Sequence, residues 1–234
     1  MRTVLCTNGA LGARIAHWLA ERGDLVGLVL HAPDRQRDVA GLAELAVPTW
    51  TWPADLDEVT ALRPDCLLSV FFGHRLDASW LAVPAWRSVN LHPGLLPFNG
   101  GANPNIWPLV DGTPAGTTLH VMSEAIDAGE LLAQQEVATR PDDTGASLYE
   151  RLLDASWDLF VSEWPTITDR TPTPQAPGGT YHRVADRAAL HPTADDLPVI
   201  DRLRALTFGP HGAEFERDGQ RWRIRVEIEP VEPA

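Results

Sequence analysis

The stretch WRSVNLHPG, residues 86–94, places two polar side chains at the end of an apolar run. Side chains alternate between the two faces of a strand, so Asn90 and His92 share one face. Pro93 follows directly, and a proline removes the backbone donor that a central strand needs. The pattern therefore predicts that an amide and an imidazole converge at the carboxyl end of a buried strand.

Apolar runs of strand length alternate with helical patterns before this strand. TVLC, LVGLVLH and DCLLSVFF are predicted as strands, and ALGARIAHWLAERG and VAGLAELA as helices. Such alternation predicts an α/β fold, a mostly parallel twisted sheet with helices on both faces. Ligands of such sheets collect outside the carboxyl ends of the strands, which is where the 86–94 stretch places its polar groups.

The second half of the chain divides into three parts. NPNIWPLVDG is predicted as a short helix, TTLHVM and ELLAQQEV as strands, and ASLYERLLDASWDLFVSEWPTI as a helix that closes a domain over residues 1–170. RTPTPQAPGG is rich in proline and glycine, which predicts a linker over residues 171–179. Residues 180–234 are predicted as a small C-terminal region, with a helix in ADDLPVIDRLRALT and a β-hairpin that turns at Asp218-Gly219.

Composition limits the partners and the chemistry. The 234 residues suffice for one α/β domain with a small appendage, and the formal net charge is −13. A nucleic-acid partner is disfavoured because it needs a basic face, and lysine Schiff-base chemistry is excluded because all 19 basic residues are arginine. No apolar run approaches the roughly 20 residues that span a bilayer. We expect a cytoplasmic protein without membrane contact, with Cys6 and Cys66 as buried core residues rather than metal ligands.

A candidate acid lies in the loop between the two later strands. Taken alone, Asn90 and His92 are more simply explained as strand-end residues that satisfy backbone groups. Residues 123–129, however, carry Asp127 just before Ala128 and Gly129. A carboxylate can fix the tautomer of a histidine and stabilise its charged form, so the three residues together favour a catalytic interpretation.

The chain resembles the folate-dependent formyltransferases. It carries their Asn-x-His pattern in NLHPGLLP, their Leu-Leu-Pro loop and, in GTTLHVMSEAIDAGELLAQQ, their aspartate near a glycine. The resemblance covers most of the chain up to about residue 170 and implies formyl transfer from N10-formyltetrahydrofolate to an amine, without a metal.

The resemblance implies a role for each residue of the pattern. Asn90 is expected to donate a hydrogen bond to the formyl oxygen, His92 to accept the proton of the amine, and Asp127 to hold the imidazole. The folate is expected to lie between the end of a central strand and the aspartate loop. These donor-binding residues are Phe72, Gly73 and His74, with Phe71 beside them, and Ser123, Glu124, Ala125 and Ile126.

Four kinds of related enzyme differ in the molecule that receives the formyl group. Enzymes that act on initiator tRNA carry a further, usually basic domain, and those that act on glycinamide ribonucleotide have a phosphate-binding start unlike CTNGALGARI. Formyl-folate hydrolases carry an extra N-terminal domain. Sugar N-formyltransferases typically show segments like TYHR at 180–183 and RALTF at 204–208, followed by a hairpin, so the resemblance favours a nucleotide-linked 4-amino sugar, such as dTDP-4-amino-4,6-dideoxyglucose.

The resemblance also suggests substrate contacts and a homodimer. Arg75 is the candidate for gripping the diphosphate, because a guanidinium can bind it with two parallel hydrogen bonds. Asn8 opens a helix whose first amides can receive a phosphate, Asn103 and Asn105 are candidate sugar ligands or helix caps, and Trp107 is a candidate for stacking on the base. GGANPN departs here from the family's Gly-x-x-Pro-Gln. A non-catalytic nucleotide-binding module, in which Asn90 and His92 are structural, is the alternative from another class.

Overall fold

The structure is a computed structural model that describes residues 1–39 and 41–230. Seven strands form its main sheet: β1 (Thr3–Thr7), β2 (Leu25–Leu30), β3 (Thr49–Thr51), β4 (Cys66–Val70), β5 (Arg87–His92), β7 (Gly116–Val121) and β8 (Leu131–Glu136). Their order across the sheet is β3-β2-β1-β4-β5-β7-β8. The first five strands of this order are parallel, and β7 and β8 are antiparallel to their neighbours.

Helices cover both faces of the sheet. α1 (Gly9–Glu21) and α5 (Gly145–Glu163) pack on one face, where α1 buries Ile15 and Leu19 and α5 buries Phe160. On the other face, α2 (Leu56–Ala61) and α3 (Ala78–Leu81) bury Val59 and Trp80. A short α4 (Trp107–Asp111) follows the 97–106 loop. The predicted α/β fold with helices on both faces is confirmed.

The central strands are apolar because both of their faces are covered. Every residue of β1 and β4 is buried, which is the continuous apolar pattern expected of parallel strands between two helical layers. Cys6 and Cys66 are fully buried free thiols, and burial raises the pKa of each. Both cysteines are therefore core residues, as predicted.

Four elements differ from the sequence predictions. VAGLAELA holds only a 3₁₀ turn, Leu42–Glu44, because Gly41 at φ 83° breaks any helix there; Ala40 lies outside the described residues. β4 ends at Val70, before the predicted end of its apolar run, and Phe71 takes a left-handed φ of 54°. The helices α2 and α3 were not predicted, although Asp55 and Asp77 cap them through side-chain hydrogen bonds.

Contacts divide the chain into two compact units. The first contains residues 1–139 and 144–182, and the second contains residues 140–143 and the chain from Arg183 onward. The predicted linker, residues 171–179, lies wholly within the first unit, and Thr173 exchanges two backbone hydrogen bonds with Leu131. Within the same unit, β6 (Gly100–Gly101) pairs with β9 (Tyr181–His182). This proline-rich segment therefore packs as part of the first unit.

Up to residue 230, the second unit contains one α-helix, one hairpin and short 3₁₀ helices. α6 (Leu197–Leu206) follows a 3₁₀ turn, Ala194–Asp196, and β10 (Ala213–Arg217) pairs antiparallel with β11 (Gln220–Ile224). Asp218 and Gly219 form the turn at φ 55° and 73°, the positive values that a two-residue hairpin loop requires. The predicted helix and hairpin are confirmed. Within the described residues, no helix has both the length and the apolar character that crossing a membrane demands.

Candidate active site

β5 brings Asn90 and His92 to one edge of the sheet. Its register places Asn90 between Ser69 of β4 and His120 of β7. Because side chains two residues apart share a face, the Asn90 amide and the His92 imidazole both point toward the loop that joins β7 to β8. That loop carries Asp127, and the three predicted catalytic residues meet there.

His92 is a buried base with one defined tautomer. Its Nε2 atom lies 3.0 Å from the backbone oxygen of Asn99. A carbonyl oxygen only accepts hydrogen bonds, so Nε2 carries the proton and Nδ1 is the free base in the neutral ring. Burial lowers the pKa of His92 below 6.5, against the opposing effects of Asp127 and the Asn99 carbonyl, so that the ring is neutral at pH 7.

Asp127 faces the free nitrogen of that ring. Its Oδ2 atom is 3.6 Å from Nδ1 of His92 and accepts a 2.8 Å hydrogen bond from the backbone N–H of Gly101. Burial raises the pKa of Asp127, but His92, His120 and the Gly101 N–H outweigh burial and lower it to about 2. An ionised carboxylate therefore stands beside Nδ1, ready to stabilise a proton that arrives there.

The hydrogen bond that holds the imidazole comes from an unexpected residue. At 3.6 Å the contact between His92 and Asp127 is too long for a hydrogen bond, so the carbonyl of Asn99 fixes the ring. Asn99 is fully buried at φ 60°, donates from Nδ2 to the oxygen of Pro114 and accepts from the Thr113 hydroxyl. The hydrogen bond to the ring therefore comes from the Asn99 carbonyl, and Asp127 places a negative charge beside Nδ1.

His120 is a site residue that the sequence analysis overlooked. Its Nδ1 donates to the oxygen of Val121, which leaves Nε2 to accept from Nδ2 of Asn90 at 3.1 Å. The same Asn90 nitrogen lies 3.4 Å from Oδ1 of Asp127. The 3.4 Å contact with Asp127 is the weaker of the two. If Asn90 gave up this contact, one of its N–H groups could donate to the oxygen of a substrate instead. Alternation along TTLHVM assigns His120 to one face of its strand. The antiparallel pairing of β5 with β7 then shows that the Asn90 side chain lies on the same face of the sheet.

The residues predicted to bind the folate occupy two segments. Phe72 is 8% exposed and its ring packs edge-on against His31 and Trp52, so this side chain belongs to the core and only its backbone is left for a ligand. Gly73 is exposed and donates its N–H to Nε2 of His31.

His74 carries an unsatisfied nitrogen. Its ring stacks on Trp52 and touches that of His31, and its buried Nε2 atom has no hydrogen-bond partner among the described residues. Burial lowers the pKa of His74, and the charge of Arg35 lowers it further. A neutral imidazole with a buried free nitrogen fits contact with a polar heterocycle such as a pterin.

The other donor segment is the exposed start of the aspartate loop. Ser123, Glu124 and Ala125 are exposed or half-exposed, and the Ser123 hydroxyl donates to the oxygen of Ala125. Ile126 is 51% exposed directly before Asp127. An apolar side chain left open to solvent beside the carboxylate fits the wall of a site for a flat ring.

The residues predicted to bind the substrate lie in different environments. Trp107 is 3% exposed, stacks on His182 at 3.8 Å and donates to the oxygen of Ala102, so its ring packs inside the fold and the prediction of base stacking is wrong. Asn105 donates to the oxygen of Gly145 and caps no helix. Asn103 is half-buried at φ 57°.

Asn8 shapes a depression at the carboxyl ends of β1 and β2. Its side chain donates to the oxygen of Arg35 and accepts from the N–H of Arg37, so it holds the loop that follows β2. The depression has a volume of about 410 Å³ and is lined by Asn8, His31, Asp34, Arg35, Gln36 and Arg37. Arg75 is exposed one residue after His74. In the described parts of the chain, no three histidine, cysteine or acidic side chains lie together as a metal site would require.

The arrangement supports proton transfer next to a developing negative charge. The neutral His92 imidazole lies 3.6 Å from the ionised Asp127 carboxylate, and the Asn90 amide lies 3.4 Å from the same carboxylate. Such a set can take a proton from an attacking nucleophile and stabilise an oxyanion.

Two family models match the chain. A formyl transferase model matches residues 49–163, which include Asn90, His92 and Asp127, and a model of the N-formyltransferase dimerization C-terminal domain matches residues 197–230. The dTDP-4-amino-4,6-dideoxyglucose formyltransferase of Mycobacterium bovis is 32% identical over 181 residues, which cover 74% of this chain and 76% of that relative.

Solved structures show the same fold. A sugar N-formyltransferase from Shewanella sp FDAARGOS_354 superposes with a TM-score of 0.70 at 26% identity and covers 99% of this chain and 100% of its own. A formyltransferase from Anoxybacillus kamchatkensis, solved with UDP-4,6-dideoxy-4-formamido-L-AltNAc and tetrahydrofolate, superposes with a TM-score of 0.60 at 25% identity. The alignment covers 81% of this chain and 89% of that one.

Proposed function

Because the chain belongs to the formyltransferase family, we propose that it transfers a formyl group from N10-formyltetrahydrofolate to the amine of dTDP-4-amino-4,6-dideoxyglucose. The observation that carries this proposal is the approach of the Asp127 carboxylate to Nδ1 of His92, with Asn90 alongside. The 32% identical relative carries the name of that activity, which favours this sugar over other amines.

Each site residue has one task in this reaction. Attack of the amine nitrogen on the formyl carbon places negative charge on the formyl oxygen and positive charge on the nitrogen. Asn90 donates an N–H to that oxygen, an interaction worth about 3–4 kcal/mol where such donors have been removed elsewhere. Nδ1 of His92 accepts the proton of the amine, and Asp127 stabilises the imidazolium that results.

A direct assay tests the proposal. The protein is incubated with N10-formyltetrahydrofolate and, in separate reactions, with dTDP-4-amino-4,6-dideoxyglucose, a GDP-linked amino sugar, glycinamide ribonucleotide and initiator tRNA. Products are separated by chromatography and identified by mass. We expect formylation of the dTDP sugar. Transfer to another amine would replace the sugar assignment, and absence of both transfer and folate binding would leave a non-catalytic module.

We propose that arginines at the carboxyl ends of the central strands bind the diphosphate. Arg35 lines the depression that Asn8 and His31 also line, and Arg75 follows His74 in sequence. Arginine side chains at this edge of the sheet suit an anion in a chain whose net charge is −13. Asn8 contributes by holding the loop that carries Arg35.

Arg75→Ala should weaken this binding. In the wild type, dTDP should raise the melting temperature, because a ligand that binds only the folded state stabilises it by about 2.7 kcal/mol at a hundredfold excess over its Kd. We expect the rise to shrink in Arg75→Ala, measured by differential scanning fluorimetry across a dTDP series. Arg14→Ala, which removes an exposed charge from α1, is the control and should respond like the wild type; an undiminished shift in Arg75→Ala would contradict the assignment.

We propose that the protein acts as a cytoplasmic homodimer that assembles through its C-terminal unit. The match of residues 197–230 to a dimerization domain supports the dimer. The same unit exposes large apolar side chains, since Leu197 and Leu206 are 53% exposed and Phe208 is 79% exposed. The two free thiols agree with a reducing compartment.

Phe208→Glu should convert the dimer into a monomer. Placing a carboxylate in an apolar interface leaves a buried charge without a partner, which is strongly unfavourable. Size-exclusion chromatography with light scattering measures the mass over a range of concentrations. Val110→Glu, at a 52% exposed apolar position on α4, is the matched control and should leave the mass unchanged. A wild type that remains monomeric at every concentration would refute the dimer.

A further inference from the structure

The segment 173–182 runs past the catalytic residues and is fastened at both ends. At its start, Thr173 and Leu131 exchange hydrogen bonds of 2.8 and 2.9 Å at the beginning of β8. At its end, the Thr180 N–H donates to the oxygen of Pro97, and the Thr180 oxygen accepts from Gly100. The segment thus spans from the aspartate loop to the loop whose Asn99 orients His92.

Gln175 lies between these two attachments and grips the aspartate loop. Its Nε2 atom donates to the backbone oxygen of Asp127 at 2.7 Å and to that of Gly129 at 2.8 Å. One primary amide has two N–H groups, so both of its donors are used on this single turn of backbone. The two carbonyls must point to the same side of the loop to be reached together.

The turn that Gln175 grips has an unusual conformation. Asp127 has a φ of 54°, in the left-handed region that residues with a side chain rarely occupy. Gly129 lies so close to β7 that a Cβ atom there would be 1.7 Å from the oxygen of Val121. The loop is therefore pressed against the sheet on one side. Gln175 supplies the hydrogen bonds on the other.

The remaining hydrogen bonds of this loop do not hold those carbonyls. The Ser123 hydroxyl bonds to the oxygen of Ala125, and the Ala128 N–H reaches the same oxygen only at 3.4 Å. The Gly101 N–H holds the Asp127 side chain rather than its backbone. Among the described residues, Gln175 is therefore the residue that bonds the backbone carbonyls of this left-handed turn.

We infer that Gln175 is a positioning residue for the proposed formyl transfer, fixing the backbone of Asp127 and Gly129 so that the carboxylate faces Nδ1 of His92. Gln175 contacts neither reactant in this role and acts only through Asp127. The kinetic consequences of this inference rest on the proposed function. The two hydrogen bonds from Gln175 to the loop are independent of that function.

Two variants of Gln175 test the inference. Gln175→Ala removes the side chain, and Gln175→Glu keeps its size but has no N–H to donate to the carbonyls. We expect both to lower kcat by about 10- to 100-fold with the KM for the sugar within about twofold, because a small displacement of a catalytic group is costly. Gln135→Ala removes a half-buried glutamine of β8 whose side chain makes no hydrogen bond among the described residues, and it should behave like the wild type.

The titration of His92 separates positioning from loss of folded protein. The ionisable groups that face His92 are Asp127, which raises its pKa, and His120, which lowers it. If the Asp127 carboxylate moves away, the pKa of His92 falls, so the acidic limb of the pH–kcat/KM profile moves to lower pH. A variant that only contains less folded protein would have a lower kcat/KM at every pH, and the acidic limb of its profile would stay at the same pH.

The same titration can be followed by NMR without any substrate. The His92 ring proton signal, assigned by comparison with His92→Asn, should titrate at lower pH in Gln175→Ala than in the wild type. Gln175→Glu is compared by kcat alone, because its added carboxylate would itself raise the pKa of His92. Unchanged kcat in both variants with an unchanged titration in Gln175→Ala would overturn the inference, as would an equal loss in Gln135→Ala. Failure of the wild type to transfer a formyl group, together with a shifted His92 titration in Gln175→Ala, would remove the proposed function and leave the positioning of Asp127 intact.

Discussion

His92→Asn should lower the kcat of formyl transfer by about 10²–10⁴, the usual contribution of a general base. The reason lies in the environment of the ring. Nε2 donates to the Asn99 carbonyl, Nδ1 faces Asp127, and burial lowers the pKa so that the neutral form predominates at pH 7. Asparagine is smaller and has no group that can accept and release a proton near neutral pH.

The KM values identify the step that His92 serves. Because the ring is 5% exposed, we expect the KM for the sugar and for the folate to change little while kcat falls. Steady-state kinetics with each substrate varied measures the split. His191→Asn, at an exposed position of the second unit, is the control. A kcat in His92→Asn equal to that of the wild type would remove the general-base assignment.

The pH dependence of kcat/KM tests the role of His92 as a base independently of the KM values. A base must be unprotonated to accept the amine's proton, so kcat/KM of the wild type should fall as the pH drops through the pKa of His92. Burial lowers that pKa below 6.5, so the midpoint of this acidic limb is expected to lie below pH 6.5. His92→Asn should lack this acidic limb.

Local sequence rules predicted the strand end but not its neighbours. Alternation and the proline after His92 are properties of adjacent residues, so the sequence alone places Asn90 and His92 on one face of a strand. His120 and Asn99 join the site through the antiparallel pairing of β5 with β7 and through the return of the 97–102 loop. Both depend on residues distant in sequence, which no local pattern records.

The sequence did not show how two aromatic side chains and the proline-rich segment pack. Phe72 and Trp107 stand next to loops that could line a cleft, but a large ring gains more by burial in the core, and both rings turned inward. RTPTPQAPGG has the composition of a linker because proline and glycine cannot extend a helix. The structure uses the same residues as an extended segment whose polar groups, above all Gln175, bind the backbone of the site.

Asp127→Asn should also lower kcat by about 10²–10⁴, but for an electrostatic reason. The carboxylate stabilises the imidazolium that forms when His92 takes the proton, and a neutral amide cannot do so. The new side chain also meets donors on both oxygens, the Gly101 N–H and the Asn90 amide, and it can offer an oxygen to only one of them. The pKa of His92 should fall further, because Asp127 raises it in the wild type.

The stability of Asp127→Asn as a function of pH tests the same charge without any substrate. The pKa of Asp127 is lowered from 3.8 to about 2 in the folded protein, so its ionised form stabilises the fold above pH 3.8 and this contribution is lost as the pH falls toward 2. The shift corresponds to about 2 kcal/mol. Urea unfolding should therefore show the wild type more stable than Asp127→Asn at pH 7, with the gap closing below pH 4. Asp158→Asn, which removes an exposed charge on α5, should show no such gap, and a constant difference across this range would mean that the carboxylate is not held by the charges and donors around it.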